Sequence, residues 1–205
     1  MITIENARHH YEGADAVHDF DHVLRVLALA ERLARSEGAD LEIVRTATLL
    51  HDVARGQGDR LVADHAQAGA QFARRLLDGH PAEKVEAVAH AIAAHRFRSG
   101  PDPQTLEAKV LHDADKLDAI GAIGVARAFA FGGHEGQRLW AKVPPDYRET
   151  EETRHEHTPV HEYQIKLVKI QDRLLTETAQ TWARERHSFM VAFFERLEQE
   201  VYGLA

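Results

Sequence analysis

Apolar residues recur every three or four positions along almost the whole chain, which is the spacing of one face of an α-helix. Strand-like alternation of apolar and polar residues is scarce, and few clusters of Val, Ile and Thr lie between turn signals. With 205 residues and 44% hydrophobic content, the chain can bury a substantial core. The sequence therefore predicts an all-α protein, folded as a single domain over residues 1–205.

Turn and capping signals divide the N-terminal part of this pattern into seven helices. Asp40 is a good N-cap, Pro81 favours a helix start, and glycine-containing pairs mark helix ends. The expected helices are one near residues 3–12, one from about His18 to Arg35, one capped by Asp40, one from about Asp64 to Asp78-Gly79, one opened by Pro81, one that carries Leu106 to Asp118, and one from Gly121 through Phe131.

Three larger segments are expected along the chain. Residues of about 15–133 would form the core of the domain, including any metal site. Residues 134–159 are polar and interrupted by Pro144-Pro145, which favours a lid or a partly disordered loop. From about 160 to 203 two amphipathic stretches return, and these C-terminal helices are expected to pack on the core.

Composition excludes several classes of function. The chain has no cysteine, so a metal would be held by nitrogen and oxygen ligands, and a cysteine nucleophile is ruled out. A formal charge of -8 opposes binding to nucleic acid or to an anionic membrane, although a local basic pocket could hold a small phosphorylated ligand. No apolar run approaches a membrane span and no secretory leader opens the sequence, so we expect a cytoplasmic protein without a membrane partner.

The dipeptide His51-Asp52 directly follows the apolar run 41–50, at the point where a buried helix should end. Two groups that are costly to desolvate need compensation there, and a divalent cation would supply it. His22, on the edge of the apolar face of the preceding helix, and one carboxylate from residues 113–118 are the expected partners. Periodicity does not choose among the candidate carboxylates, which are Asp113, Asp115 and Asp118.

His65 and His95 also fall on the predicted buried faces of their helices. A single buried histidine is more simply explained as a neutral core residue that bonds a backbone carbonyl. Together with the adjacent His-Asp pair, however, side chains from several helices can build a site for Mn²⁺, Fe²⁺, Co²⁺, Ni²⁺ or Zn²⁺ inside a helical bundle. Such a cation would acidify water and polarise a phosphoryl oxygen.

The order and spacing of these residues resemble those of a known family. His22, then His51-Asp52, then Asp115 within the stretch Ala114-Asp-Lys-Leu117 is similar to the ligand pattern of the HD-domain metal-dependent phosphohydrolases. The stretches 18–26 and 113–124 narrow the resemblance to a bacterial branch of small single-domain hydrolases. Further matching stretches span nearly the whole chain; they are residues 127–133, 161–167, 176–178 and 183–187.

The resemblance implies an HD-domain helical bundle with additional C-terminal helices, and a metal held by His22, His51, Asp52 and Asp115. Related enzymes of this branch hydrolyse nucleoside triphosphates to a monophosphate and pyrophosphate. They commonly use Mn²⁺, and Mg²⁺, Fe²⁺, Co²⁺, Ni²⁺ or Zn²⁺ stays open for this chain.

The resemblance also implies a catalytic group formed by Asp52, His65 and His95. Asp52 would be a metal ligand and a candidate base. The two histidines occupy places that hold a second metal in some family members, so they are expected to bind a second metal, to contact the phosphates or to transfer a proton.

A triphosphate requires positive charge beyond the metal, because two carboxylates already balance one dication. A lone Arg or Lys is most simply a solvated surface cation, and His18 with Asp19 could equally cap a helix or orient His22. With the family resemblance, the expected substrate-binding residues are His18, Arg25, Lys116, Arg127, His161 and Lys166.

Three alternatives to triphosphate hydrolysis stay open. The same site could act as a phosphatase or phosphodiesterase on nucleoside monophosphates or on signalling nucleotides. It could instead hold metal and nucleotide without turnover, as a sensory module, or the protein could be purely structural. A small nucleotide is the partner expected in the leading hypothesis, and a homodimer is left open.

Overall fold

The computed structural model describes residues 1–11, 20–55, 65–96, 100–148, 150 and 153–205. This part of the chain contains nine α-helices and no β-strand, which confirms the all-α prediction. None of these helices combines the length and the apolar composition needed to cross a bilayer. The helices are α1 (Ile4–Arg8), α2 (Phe20–Glu37), α3 (Leu41–Leu50), α4 (His65–Leu76), α5 (Ala82–Ala93), α6 (Leu106–Asp118), α7 (Gly121–His134), α8 (Pro159–Ile165) and α9 (Glu177–Val201).

Helix boundaries follow the predicted capping signals where these lie in described residues. Asp40 caps α3, because its carboxylate accepts hydrogen bonds from the backbone N–H groups of Glu42 and Ile43 at 2.8 and 3.2 Å. α2 ends one residue before Gly38, whose φ of 80° lies in the left-handed region that favours glycine. The predicted helix starts near residues 18 and 64 lie outside the described residues.

The first compact unit comprises Met1–Lys116 together with Leu175–Ala179. Within it α2 packs on α3, α3 packs on α5, and α4 packs on α5. One core cluster joins the N-terminal segment to α2 and to the end of α3; its members are Ala7, Tyr11, Phe20, Val23, Leu27, Leu49 and Val53. Each large apolar side chain buried there contributes about 1.5–3 kcal/mol, so the start of α2 and the end of α3 are held firmly together.

The first predicted helix is shorter than expected, because α1 gives way to a 3₁₀ turn at His9–Tyr11. This turn brings the Tyr11 ring into the core cluster, where its hydroxyl donates to the carbonyl oxygen of Leu49 at 3.0 Å. Leu49 belongs to the last turn of α3, whose carbonyls lack partners inside the helix. The bond therefore satisfies a buried acceptor beside His51.

The second compact unit comprises Leu117–Leu174 together with Gln180–Ala205, and within it α7 packs on α8. Gly121 has a φ of 76°, and a Cβ there would lie 3.0 Å from the Cβ of Arg186. At Gly124 a Cβ would lie 2.3 Å from the carbonyl oxygen of Ala119. A side chain at either position would collide with its neighbours, so the start of α7 requires glycine at both.

The segment between α7 and α8 contains turns and one 3₁₀ turn, Arg154–Glu156, in its described residues. Tyr147 is buried and anchors this segment, since its hydroxyl hydrogen-bonds Nδ1 of His157 at 3.0 Å. Its ring also meets the His161 ring edge-on at 4.3 Å between centroids. A lid role for residues 134–159 and a single domain over residues 1–205 stay predictions.

Candidate metal centre

Three segments of the first unit bring the candidate ligands together. His22 is the third residue of α2, His51 and Asp52 directly follow α3, and Asp115 lies near the end of α6. The first three are 1%, 0% and 3% exposed, and Asp115 is half-buried. Polar groups at such depth need partners, so the contacts among them decide what the cluster can bind.

The nitrogen and oxygen atoms of this cluster lie too far apart for good hydrogen bonds and close enough to share an ion. Nε2 of His22 is 3.4 Å from Oδ1 of Asp115 and 3.9 Å from Oδ2 of Asp52, and Nε2 of His51 is 3.7 Å from Oδ2 of Asp52. Bonds of about 2.0–2.2 Å to a common ion would place neighbouring ligand atoms at such separations. The donor atoms of His22, His51 and Asp52 are therefore compatible with a shared divalent metal, and Asp115 adjoins them through His22.

The ring orientation of His51 supports this conclusion. Nδ1 lies 2.8 Å from the carbonyl oxygen of Thr48, which can only accept, so Nδ1 carries the hydrogen. Nε2 is then an unprotonated, buried atom, and it has no hydrogen-bond partner. Burial lowers the pKa of His51 to about 4, which keeps the ring neutral and able to ligate a cation.

Both carboxylates of the cluster are ionised near neutral pH. Burial by itself would raise the pKa of Asp52, but His51, Arg55 and His95 outweigh it and hold the pKa well below its usual range. The pKa of Asp115 is lowered in the same way by Lys116 and the histidines, against the effect of burial. The donor set thus combines the neutral imidazole of His51 with two negative charges.

A second group of donors lies on the other oxygen of Asp52. Oδ1 is 3.7 Å from Nε2 of His65 and 3.6 Å from Nε2 of His95. Nδ1 of His95 donates to the carbonyl oxygen of Ile92 at 2.6 Å, so Nε2 of His95 is free to accept. Burial, and next the charge of Arg55, lower the pKa of His65 to about 3, and its Nε2 is also buried without a partner. Asp52 therefore faces two histidine groups, one on each oxygen.

The structure separates the three carboxylates between which periodicity did not choose. Asp113 is fully buried and accepts hydrogen bonds from the N–H of Leu175 at 3.0 Å and from the N–H and hydroxyl of Thr176 at 2.7 and 2.8 Å. Asp118 accepts from Arg127 at 3.0 Å in the second unit. Asp115 is thus the carboxylate of α6 that faces His22.

Arg55 was not recognised in the sequence as a candidate. Its Nε donates to Oδ1 of Asp52 at 2.9 Å, which puts a cation beside the oxygen that faces His65 and His95. The spacing of three residues between Asp52 and Arg55 would have indicated this pair, because residues three apart in helix-like turns are neighbours.

The predicted substrate-binding residues fall into three groups. His18 lies outside the described residues. Arg25 is half-buried on α2, one turn after His22, and Lys116 is buried beside Asp115; both belong to the first unit. The remaining members lie in the second unit and are Arg127, His161 and Lys166.

Those three residues of the second unit have polar partners of their own. Arg127 pairs with Asp118, and Lys166 pairs with Glu162 one turn before it. His161 is buried, and its Nδ1 shares a hydrogen bond of 2.8 Å with the hydroxyl of Thr158, which caps α8. Their contact with a nucleotide stays a prediction.

Comparison with known proteins identifies the family. The HD domain family model matches residues 19–120. Over 193 residues the chain is 35% identical to the uncharacterized protein YpgQ of Bacillus subtilis, covering 91% of this chain and 86% of that protein. The chain belongs to the HD-domain family. This HD-domain protein also resembles solved structures over its whole length: a crystal structure of YpgQ in complex with ADP superimposes with a TM-score of 0.76 at 31% identity, covering 99% of this chain and 100% of that one.

Two further proteins are similar to this chain. An HD-superfamily hydrolase from Bacillus thuringiensis matches with a TM-score of 0.71 at 30% identity, covering 97% and 94% of the two chains. Ribonuclease Y of Chloroflexus aurantiacus is 34% identical over an alignment 149 residues long, which covers 61% of this chain and 27% of that protein. The predicted family and fold are confirmed, and the protein is a metal-dependent phosphohydrolase of the HD type.

Proposed function

We propose that this HD-domain protein hydrolyses nucleoside or deoxynucleoside triphosphates to the monophosphate and pyrophosphate, using a cation held by His22, His51, Asp52 and Asp115. The observation that carries the proposal is Nε2 of His51, which is buried, lacks a hydrogen-bond partner and lies 3.7 Å from an ionised carboxylate. The nucleotide class is supported by the relative YpgQ, whose crystal structure contains ADP.

The donor set suits a divalent metal of the first transition series. Imidazole and carboxylate ligands accommodate Mn²⁺, Fe²⁺, Co²⁺, Ni²⁺ and Zn²⁺, and we propose Mn²⁺ as the working metal. When bound, the cation would acidify water and neutralise charge on phosphoryl oxygens. Two aspartates offset its charge, so the nucleotide phosphates need further positive groups from the chain.

We propose that proton transfer takes place near Oδ1 of Asp52, the oxygen that faces His65 and His95. Because Nδ1 of His95 is held by Ile92, its Nε2 can accept the proton that attacking water loses. The pKa of His65 is lowered to about 3, so its buried Nε2 is a weak base, and we propose that it accepts a hydrogen bond from the attacking water while His95 takes the proton. A second cation on these same atoms is the competing assignment, and metal content distinguishes the two.

For the phosphates we propose Arg25 and Arg55 of the first unit, and His18 stays a predicted nucleotide contact. Arg127, His161 and Lys166 stay predicted nucleotide contacts. Arg55, Arg127 and Lys166 are each paired with a carboxylate in the structure, so they would contribute hydrogen bonds and little net charge. Arginine forms bidentate contacts with phosphate, which favours the arginines as the main phosphate contacts.

The test is a nucleotide panel with two product assays. Metal-depleted protein, reloaded with Mn²⁺, is given nucleoside tri-, di- and monophosphates, and phosphate and pyrophosphate are measured separately. We expect one pyrophosphate per monophosphate from triphosphates, and loss of turnover with a chelator. Asp52→Asn should lose activity, whereas Asp78→Asn, an exposed aspartate of the first unit, should retain it. Full activity in Asp52→Asn would contradict the proposal.

The alternative within the same chemistry is cleavage of a phosphomonoester or phosphodiester. The match to part of ribonuclease Y supports phosphodiester cleavage as a candidate reaction. The formal charge of -8 argues against nucleic acid as the substrate. Release of phosphate without pyrophosphate, or cleavage of a cyclic nucleotide or an RNA oligomer, would support this alternative. Nucleotide binding with no turnover above background would favour a sensory module.

A further inference from the structure

Lys116 directly follows a proposed metal ligand and is buried, with 7% of its surface exposed. A lysine ammonium is almost never buried without partners. Its Nζ donates to Oδ2 of Asp115 at 2.7 Å and to the backbone carbonyl oxygen of His95 at 2.9 Å. Two of its three N–H donors are therefore engaged by residues of the candidate metal centre.

The contact between Lys116 and Asp115 is not a default of helix geometry. Adjacent side chains on a helix point about 100° apart and do not face each other. The four-carbon side chain of Lys116 has to turn toward the carboxylate to make the bond. A flexible lysine adopts one such arrangement only where its ammonium finds partners, and here it finds two.

The two carboxylate oxygens of Asp115 have different partners because of Lys116. Oδ2 is taken by the ammonium, while Oδ1 lies 3.4 Å from Nε2 of His22. Rotation of the carboxylate about its last torsion would break the bond to Lys116. The ammonium therefore holds Oδ1 toward the cluster, as outer partners of metal ligands commonly do.

The same ammonium also holds the residue that follows the end of α5. His95 lies two residues after Ala93, where free helix carbonyls attract a cation. Its carbonyl accepts from Lys116, while its ring is oriented by the bond from Nδ1 to Ile92. One lysine thus links the end of α5 to α6 and sets His95 and Asp115 relative to each other.

We propose that Lys116 is a positioning residue, which orients Asp115 toward the metal and holds His95 in place without touching the nucleotide. This role replaces the substrate contact expected from the sequence. It rests on the proposed metal ligands and does not depend on which nucleotide is cleaved.

The experiment is a calorimetric titration of Mn²⁺ into metal-free protein, without nucleotide. Lys116→Met should weaken Mn²⁺ binding by about 10–100-fold, which is the usual effect of removing an outer partner of a metal ligand. Lys116→Arg should recover part of the affinity, because a guanidinium can keep the ion pair and the carbonyl bond. Lys109→Met, two turns earlier on α6, is the matched control and should bind Mn²⁺ as the wild type does.

Other outcomes overturn the inference. Unchanged Mn²⁺ affinity in Lys116→Met, with a raised KM for the nucleotide, would identify a phosphate contact. Tighter Mn²⁺ binding would mean that the ammonium merely repels the cation. If circular dichroism shows that Lys116→Met is unfolded, Lys116→Gln takes its place with the same expectation. A wild type that binds no Mn²⁺ overturns the proposed site as well, whereas unchanged affinity in the variant overturns only the role of Lys116.

Discussion

Nδ1 of His51 donates a hydrogen bond to the backbone carbonyl oxygen of Thr48, 2.8 Å away. Thr48 belongs to the last turn of α3, so a carbonyl that the helix leaves free holds the ring in one orientation. The opposite nitrogen, Nε2, is consequently buried without a partner. A lone pair in that position lowers the stability of the metal-free protein and favours a bound cation.

Replacing His51 with leucine should separate metal binding from folding. The change removes an unpartnered nitrogen as well as one hydrogen bond, so the unfolding free energy of the metal-free protein should move by no more than about 1 kcal/mol. Mn²⁺ at one hundred times its Kd should stabilise the wild type by about 2.7 kcal/mol and should not stabilise His51→Leu. Urea unfolding with Mn²⁺ and with a chelator measures both quantities.

The matched control is His80→Leu, which changes an exposed histidine of the first unit. It should keep the full stabilisation by Mn²⁺. The assignment of His51 as a ligand is wrong if His51→Leu is stabilised as strongly as this control.

The histidines on the Oδ1 side of Asp52 should affect turnover and leave metal content unchanged. We expect one Mn²⁺ per chain in the wild type, in His65→Gln and in His95→Gln. Both variants should lose about 10²–10⁴-fold in kcat, because each removes a group that binds the attacking water or takes its proton. Elemental analysis and steady-state kinetics check these values. Two metals in the wild type, falling to one in either variant, would show that these histidines are ligands instead.

The buried carboxylate of Asp113 should contribute strongly to the stability of the fold. Its carboxylate accepts from the N–H of Leu175 and from the N–H and hydroxyl of Thr176, and Asp113→Ala leaves these donors without an acceptor. We expect a loss of about 3–5 kcal/mol in unfolding free energy. Chemical denaturation measures it, with the exposed Asp172→Ala as control. A loss below about 1 kcal/mol would mean that water replaces the carboxylate.

Glu162 should stabilise the second unit near neutral pH and lose this contribution in acid. Burial by itself would raise the pKa of Glu162, but His157 and Lys166 outweigh it and lower the pKa from 4.5 to about 2. A lowered carboxyl pKa stabilises the fold above the unfolded value of 4.5, and the contribution is lost as the pH falls toward 2.

Urea unfolding of the wild type and of Glu162→Gln between pH 6 and pH 3 tests this dependence. The wild type should be the more stable protein at pH 6, and the difference should shrink as the pH falls through about 4. A difference that does not vary with pH would indicate that Glu162 acts through packing alone.

Much of the fold and part of the site could be predicted from local pattern. The cap at Asp40 and the glycine after α2 act on the nearest backbone groups, so the sequence alone locates those helix ends. Helical periodicity likewise places His51 on the buried side of its helix, where the structure finds it 0% exposed. The pair of Asp52 and Arg55 was missed although its three-residue spacing indicates it, whereas the bond from Lys116 to the carbonyl oxygen of His95 joins residues 21 positions apart and exists only in the folded chain.

The sequence by itself determined the all-α class, most helix boundaries and the inward placement of the histidines, since all three depend on residues within a few turns of each other. Periodicity did not choose between Asp113, Asp115 and Asp118, the family resemblance implied Asp115, and only the tertiary structure shows that Asp115 is the one that faces His22. Those three lie on one helix, and their roles depend on distant partners. Asp113 accepts a hydrogen bond from the N–H of Leu175, 62 residues away, whereas Oδ1 of Asp115 lies 3.4 Å from Nε2 of His22. Partners that are so far apart in the sequence cannot be recognised from local periodicity, because only folding brings them together.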